Sequence, residues 1–145
     1  MFCIGKWSCV IVTAFSLLAV SWVTPVRAQS PADQVKQKLL SQKWRLISTD
    51  KYDKEAKMRL SFKEAGAGAL SVNIKRSRIK SQSVKIASDG KVTIKLVRSQ
   101  SCGDRKYKFI FRGQTKTGFE GDGERDKSRC RDETSDLSVS MEPQK

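Results

Sequence analysis

The most constraining feature of this sequence is an alternation of apolar and polar residues that begins at Trp44 and recurs as far as Met141. In KVTIKLVRSQ, for example, Val92, Ile94 and Leu96 alternate with lysine and threonine. Successive side chains of a β-strand point to opposite faces, so each such stretch predicts a strand with one apolar face. About eight stretches show this period. They contain Leu46, Leu60, Val72, Val84, Ile94, Phe109, Phe119 and Val139.

Short turn segments separate these stretches. Gly66-Ala67-Gly68 lies between the second and third stretches, and Asp89-Gly90 predicts a type I′ hairpin turn between the fourth and fifth. Short connections favour an antiparallel meander, and eight strands with one apolar face close naturally into a barrel without exposed edges. We therefore predict an all-β fold, an antiparallel up-and-down barrel of about eight strands, over residues 44–141.

A short helix is predicted before the barrel, within residues 29–43. Ser30 can cap it, Pro31 suits the first helical position, and Asp33 suits the positive first turn. Val35 and Leu39 supply an apolar stripe that would pack on the barrel or plug it. The tail, residues 142–145, is predicted to be frayed.

Residues 1–28 read as a secretory signal peptide. Lys6 precedes an uncharged run of about fifteen residues, and small residues at Val26 and Ala28 suit a cleavage site. The run is shorter than the roughly 20 residues that a membrane-spanning helix needs. We therefore expect cleavage after Ala28 and an exported chain, periplasmic or secreted, that starts at Gln29.

Cysteine usage agrees with export. Cys3 and Cys9 would leave with the signal peptide, so the mature chain keeps Cys102 and Cys130. One cysteine pair in a small exported domain favours a disulfide. Two free thiols or a metal pair remain as alternatives, although a site that needs histidine is excluded because the sequence has none.

The polar faces of the strands are strongly basic. The net charge of +14 falls to +12 in the mature chain, because the signal peptide carries Lys6, Arg27 and no acidic residue. Strand geometry explains the spacing of the basic residues but not the choice of lysine over neutral polar residues. Like charges on neighbouring strands repel, which favours a use for them, such as binding anions. The candidate anion-binding residues are Lys57, Arg59, Lys75, Arg76, Arg78, Lys80, Lys85, Lys95, Lys106, Lys108 and Arg112.

Other chemistry finds little support in the sequence. Asp122, Glu124 and Asp126 have the spacing of a calcium loop, but Lys127 occupies the position that needs glycine. No motif marks a catalytic centre, so we assign no catalytic residue, metal ligand or cofactor. Specific nucleic-acid binding needs exposed aromatic residues, whereas Tyr107 shares its strand face with apolar residues.

Trp44 near the start of the first strand, the meander that follows and the apolar inner face together resemble a small bacterial lipocalin-like barrel of the calycin type. The resemblance extends from Ser41 to about Met141 and implies binding of a small apolar ligand inside the barrel.

Two functions without catalysis follow. The first is that the exported monomer binds an anionic partner, such as a lipid headgroup, lipopolysaccharide or acidic polysaccharide, through its basic outer wall. The alternative is a lipocalin-like carrier of a small apolar ligand. An enzyme or a protein inhibitor is a third, weaker alternative.

Overall fold

The computed structural model describes residues 28–126 and 135–145. These residues form one α-helix and eight β-strands, which confirms the predicted all-β class and the position of the helix before the barrel. Helix α1 spans Pro31–Leu40, and the strands are β1 (Trp44–Asp50), β2 (Glu55–Glu64), β3 (Leu70–Lys75), β4 (Ile79–Ile86), β5 (Val92–Gln100), β6 (Gly103–Gln114), β7 (Phe119–Arg125) and β8 (Ser135–Pro143).

The strands form one antiparallel sheet in the order β3-β2-β1-β8-β7-β6-β5-β4. The order follows the up-and-down meander, with β8 pairing β1, so the sheet curls into a nearly closed barrel. The two edge strands, β3 and β4, lie next to each other, yet no strand pairing joins them among the described residues. We call this gap between β3 and β4 the seam.

The interior of the barrel is filled by the apolar residues that the alternation places on one face. Three of these side chains are 0% exposed: Trp44, Leu46 and Phe109. The Trp44 ring packs against the Phe119 ring in a tilted arrangement, with the ring centroids 5.4 Å apart. Burial of large side chains of this kind contributes roughly 1.5–3 kcal/mol each. The hydrophobic effect therefore fixes which face of each strand turns inward.

Helix α1 lies across one end of the barrel and buries Val35 and Leu39. Ser30 caps it by accepting a hydrogen bond from the Asp33 amide at 3.2 Å, as predicted. The Trp44 indole N–H donates to the carbonyl of Leu39 at 3.0 Å, which satisfies an acceptor at the end of the helix. The helix is thus part of the core and closes one end of the barrel.

Two lysine side chains of α1 contact the strands on opposite sides of the helix. On one side, Lys36 pairs with Glu64 of β2 at 2.9 Å. On the other, the Lys38 ammonium donates to the carbonyl of Thr115 at 3.1 Å and lies 5.0 Å from the centre of the Phe119 ring. These contacts fix the orientation of α1 relative to the strand ends beneath it.

Two local features differ from the sequence-based expectations. The hairpin between β4 and β5 is present, but its turn is not of type I′. Gly90 has a φ of 84°, and its amide donates a hydrogen bond to the Ala87 carbonyl at 2.9 Å. The φ of Asp89, in contrast, is not positive. A type I′ turn needs positive φ at both central residues, so the glycine here follows the turn instead of lying within it.

The C-terminal end is more ordered than the predicted frayed tail. Strand β8 continues to Pro143, past residue 142, where the tail was expected to begin. The Gln144 amide then donates a hydrogen bond to the Lys43 carbonyl at 2.9 Å.

Residues 1–27 of the predicted signal peptide (residues 1–28) and Cys130 lie outside the described residues, so cleavage after Ala28 and the pairing of Cys102 with Cys130 stay predictions. Among the residues described, no helix has the length and apolar character needed to cross a membrane.

Candidate functional site

The seam exposes residues that would be interior in a closed barrel. Val84 pairs with Ile94 and Ile86 pairs with Val92, so both β4 residues face inward, yet each is only half-buried. One contact bridges the gap: the side-chain carbonyl of Gln82 accepts a hydrogen bond from the Ile74 amide of β3 at 3.0 Å. A side chain therefore replaces one hydrogen bond of the missing strand ladder.

A cleft of about 330 Å³ opens at the end of the seam that lies under α1. Its volume is at the small end of the range typical of ligand pockets, about 300–1,000 Å³. Its walls come from the helix, from the turn between β2 and β3, and from the facing ends of β3 and β4. The lining residues are Ala32, Asp33, Lys36, Gly68, Ala69, Leu70, Val84, Lys85 and Ile86.

The chemistry of this cleft is mainly apolar, with charges at its edge. Leu70, Val84 and Ile86 supply the apolar surface, and all three pack against the core. Of the charged residues, Lys36 is held by Glu64, and Asp33 accepts a hydrogen bond from the Ser30 hydroxyl at 2.7 Å. Lys85 is exposed and forms no ion pair with any described residue. The cleft therefore suits a small apolar molecule and favours one that also carries an anionic group.

The candidate anion-binding residues of the outer wall do not form a uniform basic surface. Strand β7, which pairs with β6, brings carboxylates next to several of them. Four of the candidates form ion pairs: Lys57 with Glu55 (3.1 Å), Lys80 with Asp104 (2.7 Å), Lys108 with Glu124 (3.7 Å) and Arg112 with Asp122 (3.8 Å). Exposed pairs of this type contribute little to stability, but they lower the positive field that an anionic partner would meet.

The remaining candidates lie at several separate places. Arg59 and Lys75 are direct cross-strand partners and line a small pocket of about 100 Å³. Lys95 and Lys106 line a groove of about 230 Å³ that also contains Glu124 and Asp126. Lys85 lies at the seam cleft. Binding of an anionic partner by the outer wall stays a prediction.

Of the three acidic residues with calcium-loop spacing, none of which the sequence assigns as a metal ligand, two pair with basic residues of β6. Asp122 and Glu124 lie on the outward face of β7 and contact Arg112 and Lys108, respectively. Within residues 28–126 and 135–145, no group of three or more potential metal ligands comes together. Glu133, the twelfth position of that loop, lies outside the described residues.

Sequence reasoning missed a group of arginines at the end of the barrel opposite α1. Side chains on one face of a strand recur at every second residue. Arg98, Arg105 and Arg125 each lie two residues from an inward-facing residue, which is Leu96, Tyr107 and Gly123, respectively. Their side chains therefore point inward, beyond the apolar layers of the barrel. Arg76 follows the end of β3, and its amide donates to the Ile74 carbonyl at 3.0 Å, so the alternation does not fix the direction of its exposed side chain. We call Arg76, Arg98, Arg105 and Arg125 the arginine cluster. The sequence signal was present, since the same alternation simply continues past the last apolar residue.

The arginine cluster contains one buried carboxylate among the described residues. Asp50 lies 3.9 Å from Arg125 and accepts hydrogen bonds from the amides of Tyr52 (2.9 Å) and Lys54 (3.1 Å). The bond from Tyr52, followed by that from Lys54 and the charge of Arg125, holds the pKa of Asp50 below its ordinary value against the opposing effect of burial. Asp50 is therefore an anion at neutral pH.

The comparisons with known proteins support the fold and leave the family open. No protein-family model matches the chain, and no curated protein sequence matches it. One solved structure, described as EF1p2_mFAP2b bound to DFHBI, is similar in fold, with a TM-score of 0.53 and 14% sequence identity. The alignment covers 74% of this chain and 96% of that one. At this identity the likeness is one of fold, and an eight-strand antiparallel near-barrel fits the calycin-like architecture that the sequence resembled.

Proposed function

We propose that this protein binds a small apolar ligand without catalysis, at the cleft where the seam meets α1. The observation that carries the proposal is the placement of Val84 and Ile86: both face the barrel interior, yet at the gap between β3 and β4 they are only partly buried and line a 330 Å³ cleft. Apolar surface that is concave and partly exposed is the usual character of a ligand site.

One further observation favours this site over the centre of the barrel, and a second supports ligand binding by a barrel of this fold in general. The centre is filled, since Trp44 and Phe109 are 0% exposed and Phe111 is 1% exposed. A protein of the same fold has been solved bound to DFHBI, so this architecture accommodates a ligand. The lipocalin-like alternative from the sequence is therefore retained, with the ligand moved from the centre to the seam.

An environment-sensitive dye tests the proposal. We expect 1-anilinonaphthalene-8-sulfonate, which is apolar and carries one sulfonate, to bind the native protein saturably with a rise in fluorescence. Val84→Trp would fill the cleft and weaken binding at least about tenfold, which corresponds to about 1.4 kcal/mol. Ser83→Trp places the same ring on the outer face of the same strand and is the matched control.

The outcome is interpretable even if Val84→Trp perturbs the core. Ala69 lines the same cleft but is exposed, so Ala69→Trp narrows the cleft without entering the core. Equal dye affinity in the native protein, in Val84→Trp and in Ala69→Trp would refute a ligand site at the seam.

We also propose that the chain is exported, on the strength of the signal-like pattern in residues 1–28. Mass spectrometry of the protein recovered from the cells that produce it tests this. A chain beginning at Gln29 is the expected result, and a cytoplasmic chain that retains Met1 would contradict it.

A further inference from the structure

The outer surface of β1, β2 and β3 carries a group of exposed basic side chains that lie next to one another. They occupy outward positions of these strands, together with the position just before β1, and we call them the basic face: Lys43, Arg45, Lys57, Arg59, Lys63 and Lys75. We propose that the basic face binds the surface of a membrane that contains anionic phospholipids, with one lipid phosphate held in a small cleft of this face. None of its residues lines the seam cleft, so this surface is independent of the proposed ligand site.

The strand register brings three of these charges side by side. Arg45 is the direct partner of Arg59 across β1 and β2, and Arg59 is the direct partner of Lys75 across β2 and β3. Neighbouring strands lie about 4.8 Å apart, so the three residues form a continuous row across the sheet. Like charges directly opposite each other destabilise a sheet. A bound anionic surface would offset this repulsion.

Few carboxylates neutralise the basic face. Lys57 pairs with Glu55 at 3.1 Å, whereas the other five basic residues form no ion pair within residues 28–126 and 135–145. Glu142 of β8 is the strand partner of Arg45, but no ion pair joins these two side chains. On β6 and β7, by contrast, basic and acidic side chains pair with each other across the strands. The positive field of the outer wall is therefore concentrated over β1, β2 and β3.

A small cleft within the basic face brings three of its residues around one point. The cleft has a volume of about 100 Å³, and its lining residues are Lys43, Arg59, Leu60, Ser61, Lys75 and Gln144. This volume is below the range of about 300–1,000 Å³ that is typical of sites for whole organic ligands. Phosphate oxygens accept hydrogen bonds from the planar fork of arginine and from lysine ammonium groups. The cleft therefore suits a single phosphate of a lipid headgroup.

An exposed tyrosine favours a membrane over a soluble polyanion. Tyr52 is 62% exposed, and among the described residues it is the one large hydrophobic side chain with such exposure. It lies in the turn that joins β1 to β2, two of the three strands of the basic face. Tyrosine is favoured at membrane–water interfaces, where its ring has an apolar side and its hydroxyl stays among the headgroups. A soluble polymer offers no apolar layer to such a ring.

Sedimentation of the native protein with lipid vesicles tests the proposal. We expect binding to phosphatidylglycerol vesicles in preference to phosphatidylcholine vesicles, and a steep loss of binding as the salt concentration rises. The double variant Arg59→Gln/Lys75→Gln should bind phosphatidylglycerol vesicles at least about tenfold more weakly, because each basic residue near an anionic bilayer adds to the affinity. Lys95→Gln/Lys106→Gln is the matched control, since it removes two charges from exposed positions on β5 and β6. Its affinity should stay within about threefold of that of the native protein.

A soluble acidic polysaccharide, alginate, provides the second arm at an equal concentration of anionic groups. Tyr52→Ser should weaken the binding of phosphatidylglycerol vesicles and leave any binding of alginate unchanged. All five substituted side chains are exposed, so we expect each variant to keep the circular dichroism spectrum of the native protein. Equal losses in the two double variants, no preference for phosphatidylglycerol over phosphatidylcholine, or tighter binding of alginate than of vesicles would overturn the proposal.

Discussion

At the scale of single residues, close packing between β6, β7 and β8 depends on two glycines of β7. A β-carbon built on Gly121 would lie 1.9 Å from the carbonyl oxygen of Ile110. One built on Gly123 would lie 2.8 Å from a ring carbon of Phe109 and 3.1 Å from a methyl carbon of Val139. Glycine at these positions lets the aromatic ring fill the centre of the barrel, so the centre leaves little room for a ligand.

Replacing Gly123 by alanine tests this packing. We expect Gly123→Ala to lower the free energy of unfolding by about 1–3 kcal/mol, because the added methyl group has to displace Phe109 from a filled core. Urea denaturation followed by circular dichroism measures the change. Gly113→Ala on β6 is the control, since nothing lies within 4 Å of its β-carbon. Equal stability of the two variants would contradict this account of the core.

At the scale of elements, strands β3 and β4 form the open seam of the barrel. β4 has no fully buried residue: four consecutive positions, residues 80–83, are exposed, and only Ile79, Val84 and Ile86 are partly buried. Its only strand partner among the described residues is β5, so hydrogen-bonding groups along its other edge face the seam. The Gln82 side chain supplies one hydrogen bond across the seam, because its carbonyl oxygen accepts from the Ile74 amide. The seam is therefore held by single contacts where other strands have a continuous ladder.

We expect Gln82→Ala to loosen the seam locally. The Ile74 amide would lose its acceptor, and the net value of such a bond, about 0.5–1.5 kcal/mol, corresponds to roughly a two- to tenfold faster exchange of that amide hydrogen. Hydrogen exchange followed by NMR measures it. Ser83→Ala changes the neighbouring outward residue and should leave exchange at Ile74 unchanged. Unchanged exchange in Gln82→Ala would show that the bond does not hold the seam.

Much of this arrangement could be predicted from sequence, and the remainder depends on partners distant along the chain. The period of two located all eight strands, and the cap at Ser30 located the helix. The gap could not be predicted, because closing a barrel depends on the tilt and stagger of all strands together. The ion pairs of the outer wall were missed for a related reason: Lys108 and Glu124 become neighbours only through the pairing of β6 with β7. The inward direction of Arg98 was readable from the alternation but was overlooked.

At the scale of the whole molecule, the described charges are sorted by position. On the outer wall, Lys108 and Arg112 of β6 pair with carboxylates of β7, whereas Arg125 lies 3.9 Å from the buried Asp50 at the end of the barrel opposite α1. Among the described residues, Asp50 is the buried carboxylate whose titration can couple acid to stability. The pKa of Asp50 is lower in the folded protein than the ordinary value of 3.8 expected for the unfolded chain. Its contribution to stability is therefore fully present above about pH 4 and is lost as the pH falls through the folded value.

We expect Asp50→Asn to remove this contribution. The variant should be less stable than the native protein at neutral pH, and the difference should shrink as the pH falls below 3.8, because the carboxylate of the unfolded chain then takes up a proton before that of the folded protein. Thermal unfolding between pH 7 and about pH 2.5 measures the difference. Asp136→Asn, an exposed position on β8, is the control. A stability difference that stays constant across this range would show that Asp50 acts by packing and not by its charge.

We propose above that a small apolar ligand binds where the seam meets α1. The most direct test is a ¹H–¹⁵N NMR titration of the native protein with 1-anilinonaphthalene-8-sulfonate, which maps every amide that the ligand affects. We expect the largest shift changes to cluster at Ala69, Leu70, Val84 and Ile86 and at the first turns of α1. Changes spread over the outer wall, or confined to the end of the barrel around Arg98, would contradict a ligand site at the seam.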